Sequence, residues 1–395
     1  MSKIKDRRAV EQVSDRREFM VRSASAAAVV ASSAALSACG EGTEKPAEYR
    51  YGVASGDPLT DRVIIWAHAK TVESNQNVTL TYEVATDSAF ASIVKTGVCG
   101  TSAESGYTTK VDVTGLTAGT TYYYRFLDTI RTASPVGITR TLPKSDVTSV
   151  KFAVFSCSLY SQGYFNAYDA AAKSDAQYAI HLGDYIYEYG SNPTSFGNPD
   201  AVSLGRVNTP ANDIVTLDEY RLRYATYRSD ANLQALHAKM PMIAVWDDHE
   251  VADNAYLSGA ANHNPTTQGD WNVRKANAVR AYHEWMPIRT DASGNLLKIY
   301  RRFDFGSLMT LHMLDTRHEG RTRQYDNYGD ADGGVTRYLT ALATGTDATQ
   351  RMISTEQQTW LTDGMKASSA TWQILGNQVI ICLLYTSDAA DEEDS

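Results

Sequence analysis

The sequence predicts two folds in tandem, an all-β sandwich followed by an α/β domain. Between residues 49 and 143, VIIWAH, VTLTYEVAT, TKVDVTGL and TTYYYRFL are short runs rich in β-branched and aromatic residues. Their spacing suits a sandwich, and nothing there holds a helical period. Between residues 149 and 381, buried-strand patterns are each followed by a residue able to hold a metal. KFAVF leads to Ser156-Cys157, YAIHL to Gly183-Asp184, MIAVW to Asp247-Asp248-His249-Glu250, LMTLHML to Asp315, and WQIL to Gly376-Asn377-Gln378. Ligands of α/β sheets bind beyond the carboxyl ends of the strands, so these distant residues are expected to converge on one site.

Both ends of the chain read as something other than fold. Arg16-Arg17-Glu18-Phe19-Met20 followed by the alanine-rich run 24–38 is a twin-arginine export pattern, too short and too weakly apolar for a permanent membrane helix. Leu36-Ser37-Ala38-Cys39 resembles a lipobox, which predicts a lipid anchor at Cys39 as the sole membrane attachment. Residues 1–39 are therefore assigned to a signal and 40–48 to a linker. At the other end, the strand pattern WQILGNQVII runs straight into CLLYTSDAADEEDS, whose back-translation resembles a sequencing-library adapter. Residues 382–395 are read as adapter-derived and left out of the fold, so the catalytic region is expected to be cut short.

Thirty-seven basic against 46 acidic residues give a net charge of −9, which argues against a nucleic-acid surface. Cys99 and Cys157 are singletons and make no disulfide framework. A serine hydrolase would call for a GxSxG elbow, which is absent.

Each candidate has a plain structural alternative. An aspartate after a strand commonly caps the next helix, which is one reading of Asp184. His181 lies inside an apolar strand and reads as a core histidine, and Cys157 alone would suit a small buried position. Asp247-Asp248-His249-Glu250 is more specific, because so many ionisable groups at one strand exit call for a held ion.

Taken together and in order, YGVASGDPLTDRVIIWAH, FSCS, HLGDYIYEYG, WDDHEVADN, VRAYHEWMPIR, LDTR and WQILGNQV resemble the PhoD-like alkaline phosphatases and phosphodiesterases, within the wider metallophosphatase superfamily. The resemblance covers nearly all of residues 49–381 and implies a fibronectin-like sandwich followed by a four-layer α/β/β/α catalytic domain. It implies Fe3+ and Ca2+ as cofactors, with Cys157, Asp184 and Tyr187 on the ferric ion and Asp184 reaching both metals. Asp248 would stand where the superfamily places an asparagine ligand, and His249 would act on the transition state, with Asp247 and Asn377 supporting the site. Hard phenolate and carboxylate donors suit such cations.

The implied reaction is hydrolysis of small-molecule or polymer phosphate esters by an exported, monomeric enzyme. The competing reading is a non-catalytic surface lipoprotein with a degenerate domain, which should have lost Asp184 or the DDHE cluster. The family also places an Asp-x-His motif downstream of LGNQV. This chain has none there, which implies an incomplete ferric site and an inactive fragment.

Overall fold

The computed structural model describes residues 45–71, 76–145, 147–192, 199–323 and 350–379. The predicted signal, lipobox and adapter-like tail lie outside the described residues. Among the described residues fifteen strands follow one another. In the first part of the chain they are β1 (Ala47–Glu48), β2 (Val53–Gly56), β3 (Arg62–His68), β4 (Lys70–Thr71), β5 (Val78–Ala85), β6 (Ile93–Thr101), β7 (Thr108–Thr114), β8 (Thr121–Asp128) and β9 (Gly137–Arg140). The remainder holds β10 (Phe152–Phe155), β11 (Tyr178–His181), β12 (Met242–Ala244), β13 (Arg301–Phe305), β14 (Met309–Met313) and β15 (Trp372–Gly376).

The sandwich forms from alternation. Along β8, Tyr122, Tyr124 and Phe126 are buried while Thr121, Tyr123 and Arg125 point toward solvent, the period of a half-buried strand. They meet Val78, Leu80 and Val84 of β5 in a core shared with Val53, Val63, Ile65 and Val113. One layer has the order β6-β5-β8-β9, and β2, β3 and β7 form the facing one. In β3 the alternation disappears, because Val63 and Ile65 fill this core while Trp66 is buried on the other side. A strand covered on both faces reads as a continuous apolar run, which VIIWA is.

That facing layer does not stop at the expected domain boundary. Met242 of β12 pairs in parallel with Gly56 of β2, so the sheet continues as β10-β11-β12-β2-β3-β7. Residues on both sides of the connection near 143–149 therefore share one six-stranded sheet.

A second, mixed sheet, β13-β14-β15, packs on its β10–β11 end. The ring of Phe305 lies 5.2 Å from those of both Phe152 and Tyr178. Along β14, Met309, Leu311 and Met313 point into this core, whereas Thr310 and His312 point outward. The outward pair meets the helix Thr355–Ala367, through Trp360 against His312, and Ser368 just beyond it. On the opposite side of the six-stranded sheet lie the helices Asn166–Ala172, Leu217–Arg228, Ala231–Lys239 and Trp271–Trp285, with Trp285 against Trp66 and Tyr168 against His181. The packing order is helix, sheet, sheet, helix. Thr216 and Glu219 form a reciprocal capping box, and Asp230, Asp270 and Ser354 cap the other long helices, so each start is written in the sequence. Among the described residues, no helix is long and apolar enough to cross a membrane.

Candidate metal centre

The exits of β10, β11 and β12 lie side by side, and unusual backbone makes that possible. Cys157 and Asp184 both adopt left-handed conformations, with φ of 57° and 55°. Such conformations cost a non-glycine residue about 1–3 kcal/mol and persist only where the surroundings enforce them. Here the enforcement is mutual: Cys157 N donates to Gly183 O at 3.2 Å, and Ser158 N donates to Asp184 O at 2.9 Å. Gly183 has φ of 112°, and a Cβ there would fall 2.3 Å from Asp247 N. Only glycine lets the β11 exit pass this close to the β12 exit. Glu250 ties the two together by accepting from Asp184 N at 3.1 Å, Tyr185 N at 2.7 Å and Asp247 N at 2.8 Å.

The carboxylate of Asp184 is the centre of the arrangement. Its Oδ2 faces the Cys157 thiol at 3.5 Å and the Tyr187 hydroxyl at 3.3 Å. Its Oδ1 faces the His249 backbone N at 3.4 Å. One oxygen thus looks toward the β10 and β11 loops and the other toward the β12 loop. Asp184, Asp248 and His249 bring one ligand atom each within 4.8 Å of one another.

These groups crowd like charges in a buried place. Burial pushes the Asp184 carboxyl well above the usual range; Asp248, Asp247 and Glu250 push the same way, against the opposing pull of His249. Burial likewise raises the Tyr187 phenol, and Asp184 and Cys157 raise it further. Burial lifts Glu250 to about 7 in spite of its three backbone donors. The Asp184 carboxyl and the Tyr187 phenol, both disfavoured as anions until a cation arrives, converge with the exposed Cys157 thiol in a way that fits a metal ion.

His249 is built differently. Its Nδ1 lies 2.7 Å from Glu188 Oε2, and its ring stacks on Tyr187 at 4.3 Å. Burial would lower its pKa, but Glu188, Asp248 and Asp184 outweigh it and hold the imidazole well above 6.5. Glu188 also accepts from Asp253 N at 2.7 Å and Asn262 Nδ2 at 2.8 Å. Burial would raise Glu188, yet His249 and these donors bring it down to about 2. With Nδ1 engaged, Nε2 is the ring nitrogen left to meet a substrate.

The structure thus brings Cys157, Asp184, Tyr187, Asp248 and His249 together. Asp184 caps no helix, because the segment that follows it is irregular. His181 is a core histidine, with Nε2 2.9 Å from Tyr168 Oη. Asp315 takes its own turn, accepting from Arg317 N and His318 N, and is not part of the cluster. Asn377 donates to Val379 O and makes no described contact with the cluster.

Asp247 has a partner the sequence reading missed. Arg317 pairs with both its oxygens and reaches Asp248 Oδ1 at 3.3 Å. Part of the charge concentrated in DDHE is therefore balanced by the protein's own guanidinium rather than by an ion. Glu188 and Arg317 lie within the stretches YEYG and LDTR, but nothing local distinguishes either from a surface charge.

With the fold and site in view, the class is a two-sheet α/β fold that gathers candidate metal ligands at its strand exits. Residues 152–395 match the PhoD-like phosphatase family and residues 33–143 match the PhoD-like phosphatase N-terminal domain. A curated relative, alkaline phosphatase D of Bacillus subtilis (strain 168), is 36% identical over 343 residues, covering 84% of this chain and 56% of that protein. The solved structure described as "Structure of PhoD" superposes with a TM-score of 0.72 at 33% identity, covering 85% of this chain and 63% of that one. The chain belongs to the PhoD-like phosphatase family. It spans a little over half the length of that curated relative.

Proposed function

We propose that this chain carries the phosphoester-hydrolysing site of an exported, metal-dependent alkaline phosphatase or phosphodiesterase. The observation that carries the reading is the Asp184 carboxylate, with one oxygen turned to Cys157 and Tyr187 and the other to the Asp248-His249 loop. In this reading Cys157, Asp184 and Tyr187 would hold Fe3+, and Asp184 and Asp248 would offer oxygens to a second cation, Ca2+ by family resemblance. When bound, the metals neutralise phosphate oxygens and supply hydroxide near neutral pH.

The chain's own residues do the rest. Glu188 fixes the His249 ring and keeps it protonated, so that Nε2 presents a proton to the developing or departing oxygen. Arg317 holds Asp247 and Asp248 in place from behind. The two-layer strand region then acts as a fibronectin-like support, and the predicted export signal with its lipid anchor at Cys39 would place the enzyme outside the cytoplasm.

Metal analysis alongside monoester and diester kinetics tests this on the complete gene product. Asp184→Asn should lose metal and turnover together, whereas His249→Ala should keep its metal and lose about 10²- to 10³-fold in turnover, the scale of one lost oxyanion donor. An active Asp184→Asn enzyme would sink the reading. The ferric assignment has its own readout: a visible tyrosinate charge-transfer band, bleached in Tyr187→Phe.

A further inference from the structure

Away from the metal centre, where the first strands meet the long helices, lies a cavity of about 340 Å3 lined by Glu48, Arg50, Tyr51, His68, Lys70 and Tyr107. Its charge runs against that of the chain, which is −9 overall. Neither Arg50 nor Lys70 pairs with a carboxylate among the described residues. Arg50 instead lies 5.9 Å from the ring centre of Tyr51, and the Lys70 ammonium 4.6 Å from that of Tyr107. Lys70 stands opposite Glu48 in the β1–β4 register, yet the two form no ion pair.

His68 forms part of the lining. It is 8% exposed, edge-on to Tyr51 at 4.7 Å and stacked on Trp285 at 5.6 Å, and its Nδ1 is buried without a hydrogen-bond partner. Near it is a third cation. Arg228 is fully buried, its guanidinium 4.3 Å from the Trp66 ring; Nη1 meets Tyr185 Oη at 3.4 Å, and Nε and Nη2 have no partner. Burying a guanidinium without a carboxylate is costly, and its uncompensated field reaches the neighbouring cavity. Burial, then Lys70, Arg228 and Arg50, bring the His68 pKa down to about 4, so at neutral pH its ring is an uncharged group able to accept or donate a hydrogen bond.

We propose that this cavity is a second ligand site, taking a small aromatic oxyanion whose charged group meets Arg50 and Lys70 and whose ring lies against Tyr51 and Tyr107. The geometry is independent of the phosphoesterase reading, since none of these residues belongs to the Asp184 cluster. A phosphate-bearing and a carboxylate-bearing ligand share the required chemistry, so the probes separate them.

Calorimetric titration of the full chain with phenylphosphonate, benzoate and inorganic phosphate tests the site. One of the two aromatic probes should bind saturably and more tightly than inorganic phosphate; whichever is tighter names the source. Arg50→Ala and Lys70→Ala should each weaken that binding about 10-fold, or about 1.4 kcal/mol, with Lys70→Arg restoring it. Asp184→Asn should leave it intact, which separates this site from the metal centre. Arg50 is exposed, so its variant keeps the test open should Lys70→Ala fail to fold. Three results would overturn the proposal: no saturable binding of either aromatic probe, inorganic phosphate binding as tightly as both, or binding lost in Asp184→Asn but kept in Arg50→Ala.

Discussion

The core of the strand layers near residue 65 and the surroundings of Asp184 are both buried, and they are buried by opposite means. Around Ile65 the interior is valine, leucine, isoleucine and aromatic rings from β2, β3, β5, β7 and β8, and water is excluded by apolar area alone. Around Asp184 the interior holds Glu188, Asp247, Asp248, Glu250 and Arg317, each largely removed from solvent. Burying a charge costs several kcal/mol unless it is compensated, so the second region spends stability where the first gains it. The difference teaches where stability and chemistry reside in this chain: they are separable, and substitution should separate them.

The largest effect is expected at Asp184. Asp184→Asn should reduce turnover by at least about 10³-fold. In the metal-free chain it should leave the melting temperature unchanged or raised, because burial and three neighbouring carboxylates already disfavour the charged form. A metal-free Asp184→Asn chain that melts well below the parent would show that the carboxylate stabilises the fold by itself.

Arg317→Met comes next. It strands Asp247 and Asp248 without their guanidinium, and breaking a buried pair from one side costs about 3–5 kcal/mol. Denaturant unfolding measures this, and a loss under 1 kcal/mol would mean the pair is dispensable.

Ile65→Ala is the counterpart in the apolar region. It should cost about 2–4 kcal/mol through a cavity, with turnover per folded molecule unchanged. A selective fall in turnover there would break the comparison.

The smallest effect is a pH signature at Glu188. Its carboxyl sits at about 2 in the folded chain, below the ordinary 4.5, so its contribution is full above 4.5 and lost as the pH falls through 2. His249 is held above 6.5, so its share is full below 6.5 and lost as the pH rises through the folded value. The stability gap between parent and Glu188→Gln should therefore be widest between about 4.5 and 6.5 and narrow on both sides. Chemical unfolding at pH 2 and 5.5 measures the acid side, and a gap that stays flat between them would remove the pair from the account.

The same contrast explains what could be read in advance. The β-branched and aromatic content of TTYYYRFL is a local signal, and its strand appears where expected. The convergence of Cys157, Asp184, Tyr187, Asp248 and His249 was also legible, because each follows a strand whose end the sequence marks. Arg317 was not, since its role depends on which of several aspartates lies across a loop from it. Nor was the pairing of Met242 with Gly56, because a single parallel bridge between distant segments leaves no periodic trace. Glu188 lay in a motif already noticed, but its orientation toward His249 is a matter of tertiary placement.

That one bridge also constrains the order in which the chain can be completed during synthesis. β2 and β3 emerge from the ribosome early, but their sheet gains its neighbour only after residues 242–244 have been made. Until then the β2 side of the layer presents an unpaired edge, and the contact that closes it has a long sequence separation, the kind that slows folding and prolongs exposure to misassembly. The first nine strands are therefore better regarded as the opening half of one folding unit than as a module to be produced alone.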